Sequence, residues 1–176
     1  MRSVALAGMT QTINDTNQPE PPKAQLLRAV ESQLHDSGIG FQLEKARLYG
    51  ATVNPSVNMD DDAETFRLCF LDAHFDVYEL LERPSSGVAR VFDAAVLVTT
   101  GWATPISSED ASGRRRVRLT VLVCNDGVVS GLRFSDEECE VLVDEGSATG
   151  ALNDAVLEFW FGDSSALICG EGAKGD

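Results

Sequence analysis

The residues best equipped for chemistry fall in four places along the chain. Arg114-Arg115-Arg116-Val117-Arg118 is a cationic run at the entry to a β-branched segment. In an extended chain Arg116 and Arg118 share one face, and Val117 and Leu119 the other. Guanidinium groups suit phosphate, nucleic acid or carboxylate, and the many acids elsewhere direct them toward carboxylates, within the chain or across a dimer. Asp136-Glu137-Glu138-Cys139-Glu140, followed by Asp144-Glu145, is the densest anionic group. Asp72, Asp76 and Glu79 form a second one if they rise along one helix in steps of ~6 and ~4.5 Å. Gly101-Trp102-Ala103-Thr104-Pro105 puts an indole at the end of a strand, where it either caps the core or offers a rigid aromatic anchor to a partner.

Clustered carboxylates are ligands for hard divalent cations, so one alternative is a metal-dependent hydrolase or nuclease fed by the two acidic segments. The spacing argues against it. No D-x-D-x-D-G loop is present, and consecutive acids point in different directions. No metal and no cofactor is therefore expected. The same carboxylates also suit an anionic surface that mimics nucleic acid, or plain solubilising charge. As partner-binding residues the sequence nominates Trp102, Arg115, Arg116, Arg118, Asp72, Asp76, Glu79, Asp136 and Glu138, with no catalytic residue.

Other chemistry lacks its motif. Asp144-Glu145-Gly146-Ser147-Ala148-Thr149-Gly150 precedes a helix but has no phosphate-binding Lys, and Ser147 is not in a nucleophile elbow, so Ser147 or Thr149 reads as a helix cap. His35 and His74 have no nucleophile near them in sequence. Cys69, Cys124, Cys139 and Cys169 form no C-x-x-C and read as buried free thiols.

These residues need elements to position them. Leu26, Leu27, Val30 and Leu34 recur at helical spacing, with Gly38 placed to end that helix and a polar opposite face. Phe41 to Leu48 reads as a short strand or a further helical turn, and Gly50 to Asn58 as a loop. Asp62 to Arg83 carries an apolar face of Phe66, Cys69, Phe70, Ala73, Val77 and Leu80 behind an acidic start, which predicts a long buried helix. A β-hairpin is the competing reading, because Phe66, Leu68 and Phe70 also alternate. Three β-branched runs follow, at 94–100, 117–124 and 128–134, the last two joined by the hairpin signal Asn125-Asp126-Gly127. Residues 140–143 offer a fourth short segment, and a helix from Ala151 to Phe161 closes the fold before Gly162. The expectation is an α+β domain at 23–169: a small antiparallel sheet of three to four strands packed with about three helices. A polar tail at 1–22 and a frayed end at 170–176 flank it.

The 176 residues suffice for one core without disulfide or metal staples. With 28 acidic against 14 basic residues the net charge is −14, which disfavours direct nucleic-acid binding by the molecule as a whole. By segment the balance is 0 over 1–59, −6 over 60–93, +2 over 94–134 and −10 over 135–176. No apolar run reaches membrane-spanning length and no export signal stands at the start, so a cytoplasmic protein that does not enter membranes is expected.

Over residues 90–160 the strings G-W-A-T-P, R-R-R-V-R-L and D-E-G-S-A-T-G resemble a group of uncharacterised proteins of actinobacteria and their phages. That resemblance implies a bacterial or phage setting and carries over no catalytic residue. Together these readings favour a non-enzymatic accessory protein that acts through its acidic surface on a protein partner, with nucleic-acid mimicry as one form of that action. The metal-dependent hydrolase and a phage structural or assembly component stand as alternatives. A homodimer is expected, with Arg114, Arg115, Arg116 and Arg118 meeting residues 135–145 of a second copy around a two-fold axis and Trp102 near the rim or the core of the contact.

Overall fold

A computed structural model describes residues 22–53, 66–82, 88–103, 114–136, 141–144 and 150–162. In chain order the elements are α1 (Pro22–Asp36), β1 (Ala46–Val53), β2 (Phe66–His74), α2 (Val77–Glu82), the single turn α3 (Val88–Val91), β3 (Ala94–Ala103), β4 (Arg115–Cys124), β5 (Gly127–Phe134), β6 (Val141–Asp144) and α4 (Ala151–Phe161). The α+β class stands. The sheet, however, has six strands rather than three or four, all antiparallel, in the order β2-β1-β3-β4-β5-β6.

The β-branched runs form the middle of this sheet because every second side chain finds an apolar layer. On one face Val96, Val98, Leu122 and Val129 pack under Ala24, Leu27, Val30 and Leu34 of α1. On the other, Leu97, Val121 and Val123 pack under Leu80 and Leu81 of α2 and Val156, Phe159 and Trp160 of α4. With helices on both faces, the central strands read as continuous apolar runs. Gly127, at φ +104°, follows the Asn125–Asp126 turn and lets β4 and β5 pair directly. Gly162 ends α4, its N–H donating to the Glu158 carbonyl at 2.8 Å.

Two expectations fail. The helix read over 62–83 is strand β2 followed by the short α2, and Asp76 starts that helix by accepting the Tyr78 N–H at 2.9 Å. The apolar residues of 66–71 satisfy both a period of 3.6 and a period of 2, and pairing with β1 selects the second. The loop read from Gly50 is instead the second half of β1, through Val53. Gly50 is there because the Phe92 ring lies against the strand where a side chain would project; a Cβ would come within 2.5 Å of it. The N-terminal tail at 1–21, the Asp61–Glu64 helix cap and the C-terminal end beyond Gly162 lie outside the described residues. Among the described residues no helix is long and apolar enough to cross a membrane.

Gly50→Ala is therefore expected to cost about 1–3 kcal/mol, since the new methyl group overlaps the ring. Urea unfolding measures it, and Phe92→Ala in the same chain should make the added Gly50→Ala change nearly neutral.

Candidate functional site

Strand alternation sends the arginines of the 114–118 run to different places. Arg118 faces α1 and is wholly buried, as is Glu31. Its Nη2 lies 2.7 Å from Glu31 Oε2 and its Nε 3.1 Å from Oε1, while Nη1 donates to the Ile39 carbonyl. Arg133 on β5 reaches the same carboxylate, Nε to Oε2 at 3.2 Å, and the Thr120 hydroxyl donates to Oε1. The Arg118 guanidinium also lies 5.4 Å from the Phe41 ring centroid. This takes Arg118 out of the expected partner surface, because its charge is consumed in the core. Glu31 and Arg133 escaped the sequence reading. The available signal was Glu31 sitting within the Leu27–Val30–Leu34 stripe, where a carboxylate needs a buried cation.

Arg116 and Trp102 are directly opposite on β4 and β3. The guanidinium lies 4.7 Å from the indole centroid, and its Nη1 donates to the Phe41 carbonyl at 3.2 Å. Trp102 remains 48% exposed, so it is a presented side chain rather than a core cap. Arg115, on the other face, stacks 4.0 Å from the Phe134 centroid and grips Asp136 through two nitrogens, Nη2 to Oδ1 at 2.7 Å and Nε to Oδ2 at 2.9 Å. Lys45, entering β1, lies 4.6 Å from the Phe75 ring at the exit of β2. These three cation–ring pairs stand at one end of the sheet, where β1 and β4 begin and β2, β3 and β5 finish. An open cleft of about 580 Å³ adjoins Lys45, between residues 42–45 and Arg47, Phe70 and Ala73.

Among the described residues, Asp72, Asp76, Glu79, Asp136 and Asp144 do not converge on one point. Asp72 lies on β2, Asp76 starts α2 and Glu79 lies within it, so the three do not rise along one helix. Asp136 and Asp144 belong to the β5–β6 side, and the two edges of a six-stranded sheet are about 24 Å apart. Among the described residues no three of His, Cys, Asp and Glu are grouped to hold a metal ion. Glu138, Cys139, Ser147, Thr149 and Cys169 lie outside them. Gly150 is the N-cap of α4 and provides no side-chain cap. Cys69 is exposed and Cys124 half-buried, against the expectation of buried thiols. His74 pairs with Glu79 at 3.5 Å.

The Arg115 hydrogen bonds hold the Asp136 carboxyl below its ordinary value of 3.8. A lowered folded value means that the pair stabilises the fold above the unfolded value and loses that contribution as pH falls through the folded one. An NMR titration should place the Asp136 midpoint below 3.8 and return it toward that value in Arg115→Gln. In the core, Glu31→Gln should cost about 3–5 kcal/mol in a denaturant titration, because it leaves two buried guanidinium groups without their carboxylate. Replacing Glu31, Arg118 and Arg133 together by apolar residues should cost much less.

No protein-family model, curated protein or solved structure matches the chain.

Proposed function

We propose that the chain is a non-enzymatic interaction protein that engages a protein partner through the end of its sheet at which Trp102 and Arg116 stand. The observation that carries this reading is Trp102, half-exposed and stacked under Arg116. Trp and Arg are the side chains that most often dominate binding energy, and an indole already packed by its neighbour loses little freedom on docking. The partner surface that fits has an apolar recess for the indole and carboxylates for Arg114, Arg116 and Lys45. The resemblance to proteins of actinobacteria and their phages supports a bacterial or phage cytoplasm as the setting.

Proximity labelling in such a host, with wild type and variants side by side, tests the reading. A partner labelled by wild type should be lost from Trp102→Ala and Arg116→Glu and retained by Glu158→Gln, a substitution on the exposed side of α4. Identical capture by all four chains would refute it.

A further inference from the structure

Among the described residues the longest uncovered feature of the sheet is its β2 edge. β2 runs nine residues and, among the described residues, pairs only with β1, leaving one side of its backbone without a ladder. Arg67, Cys69 and Phe70 on it are exposed, Phe70 to 56%. Natural sheets seldom leave such an edge long and apolar, because it invites another strand. The opposite edge, β6, is only four residues long.

The register of β2 shows what kind of strand it suits. Leu48 is opposite Asp72 and Tyr49 opposite Phe70, so Leu71 is an extra residue, a β-bulge. The bulge resets the alternation of faces. Arg67 and Cys69, opposite Thr52 and Gly50, share a face with Asp72, opposite Leu48; Phe66, Leu68, Phe70 and Ala73 share the α1 face. Without the bulge, Arg67 and Asp72 would point to opposite faces.

We propose that β2 pairs antiparallel with β2 of a second copy, about a two-fold axis at Cys69. This register sets Cys69 against Cys69 of the other copy, Leu68 against Phe70, Arg67 against Asp72 and Phe66 against Ala73, with both Leu71 residues bulged out. Every facing pair then lies on one face, and each is chemically matched: apolar with apolar on the α1 side, cation with anion on the other. Each contact off the axis occurs twice, as a two-fold interface requires. The Asp72 carboxylate accepts the Ala73 N–H at 2.7 Å and takes the guanidinium as an additional partner. An unrelated extended peptide would gain the backbone ladder but not these paired side chains. This interface replaces the one expected from Arg115, whose guanidinium is held by Asp136 of its own chain. It is independent of the Trp102 end.

Light scattering of the full chain across micromolar concentrations should give twice the 18.9 kDa of one chain. Arg67→Asp, which sets carboxylates against each other twice, should weaken association by about tenfold or more, and Asp72→Arg should do the same. The double variant Arg67→Asp/Asp72→Arg should restore it, which separates a lost contact from a damaged fold. Directly opposite residues in an antiparallel pair have Cα atoms about 4.5–5.5 Å apart, within disulfide range. Mild oxidation by copper-phenanthroline should therefore give a covalent dimer from wild type and none from Cys69→Ser. A single-chain mass at every concentration would overturn the proposal. So would a dimer indifferent to Arg67→Asp, or one cross-linked through a cysteine other than Cys69. Retained partner capture by a monomeric Arg67→Asp chain would leave the Trp102 reading intact.

Discussion

A single buried carboxylate organises the α1 side of this molecule. Arg118 and Arg133 are directly opposite each other on β4 and β5, an arrangement that by itself drives two strands apart. Glu31, delivered from α1, lies against both and converts that repulsion into a three-membered ion cluster shielded from water. The helix cannot shift by a turn without leaving two guanidinium groups in the core. The close approach of α1 to the sheet also depends on Gly131, where a side chain would meet Leu27 and Val141.

The same cluster constrains the chain beyond α1. Arg118 donates to the Ile39 carbonyl and lies against Phe41, so the segment leading to β1 is drawn across the ends of β4 and β3. Arg116 then holds the Phe41 carbonyl, and the Thr100 hydroxyl holds that of Leu43 at 3.3 Å. Arg116 is thereby committed at one end to the backbone and spreads its face over Trp102. The presented indole is thus tied, through two arginines two residues apart, to the buried carboxylate. Other acids among the described residues act differently: Asp72, Asp76 and Glu79 stand on the β2 side and Asp136 and Asp144 on the β6 side, outside the buried cluster.

β2 illustrates how one irregular residue sets chemistry. Leu71 packs toward the α2 layer as the bulged residue, and its insertion turns Asp72 onto the face that Arg67 and Cys69 occupy. An edge strand that alternates without interruption would separate these charges. Bulges are common on edge strands because they spoil regular pairing with arbitrary neighbours, and a strand carrying the same bulge is the exception.

Where local chemistry has one solution, the sequence by itself determined the outcome. Apolar spacing and Gly38 place α1; the β-branched runs place β3, β4 and β5; Asp126-Gly127 places the hairpin; Ala151 to Phe161 with Gly162 places α4. The face shared by Arg116 and Arg118 was also legible, since alternation alone dictates it. Tertiary structure decided the rest. Residues 66–74 carry apolar residues that fit a helix and a strand equally, and only the partner β1, some twenty residues earlier, selects the strand. β1 was itself obscured by Gly50, whose meaning is the Phe92 ring forty-two residues away. Which arginine is buried and which presented depends on where α1 lies, because Arg118 enters the core only when Glu31 arrives from 87 residues away to neutralise it. Burying charge is too costly to follow from one strand's pattern; it requires the opposite charge in place, and that is a property of the assembled layers.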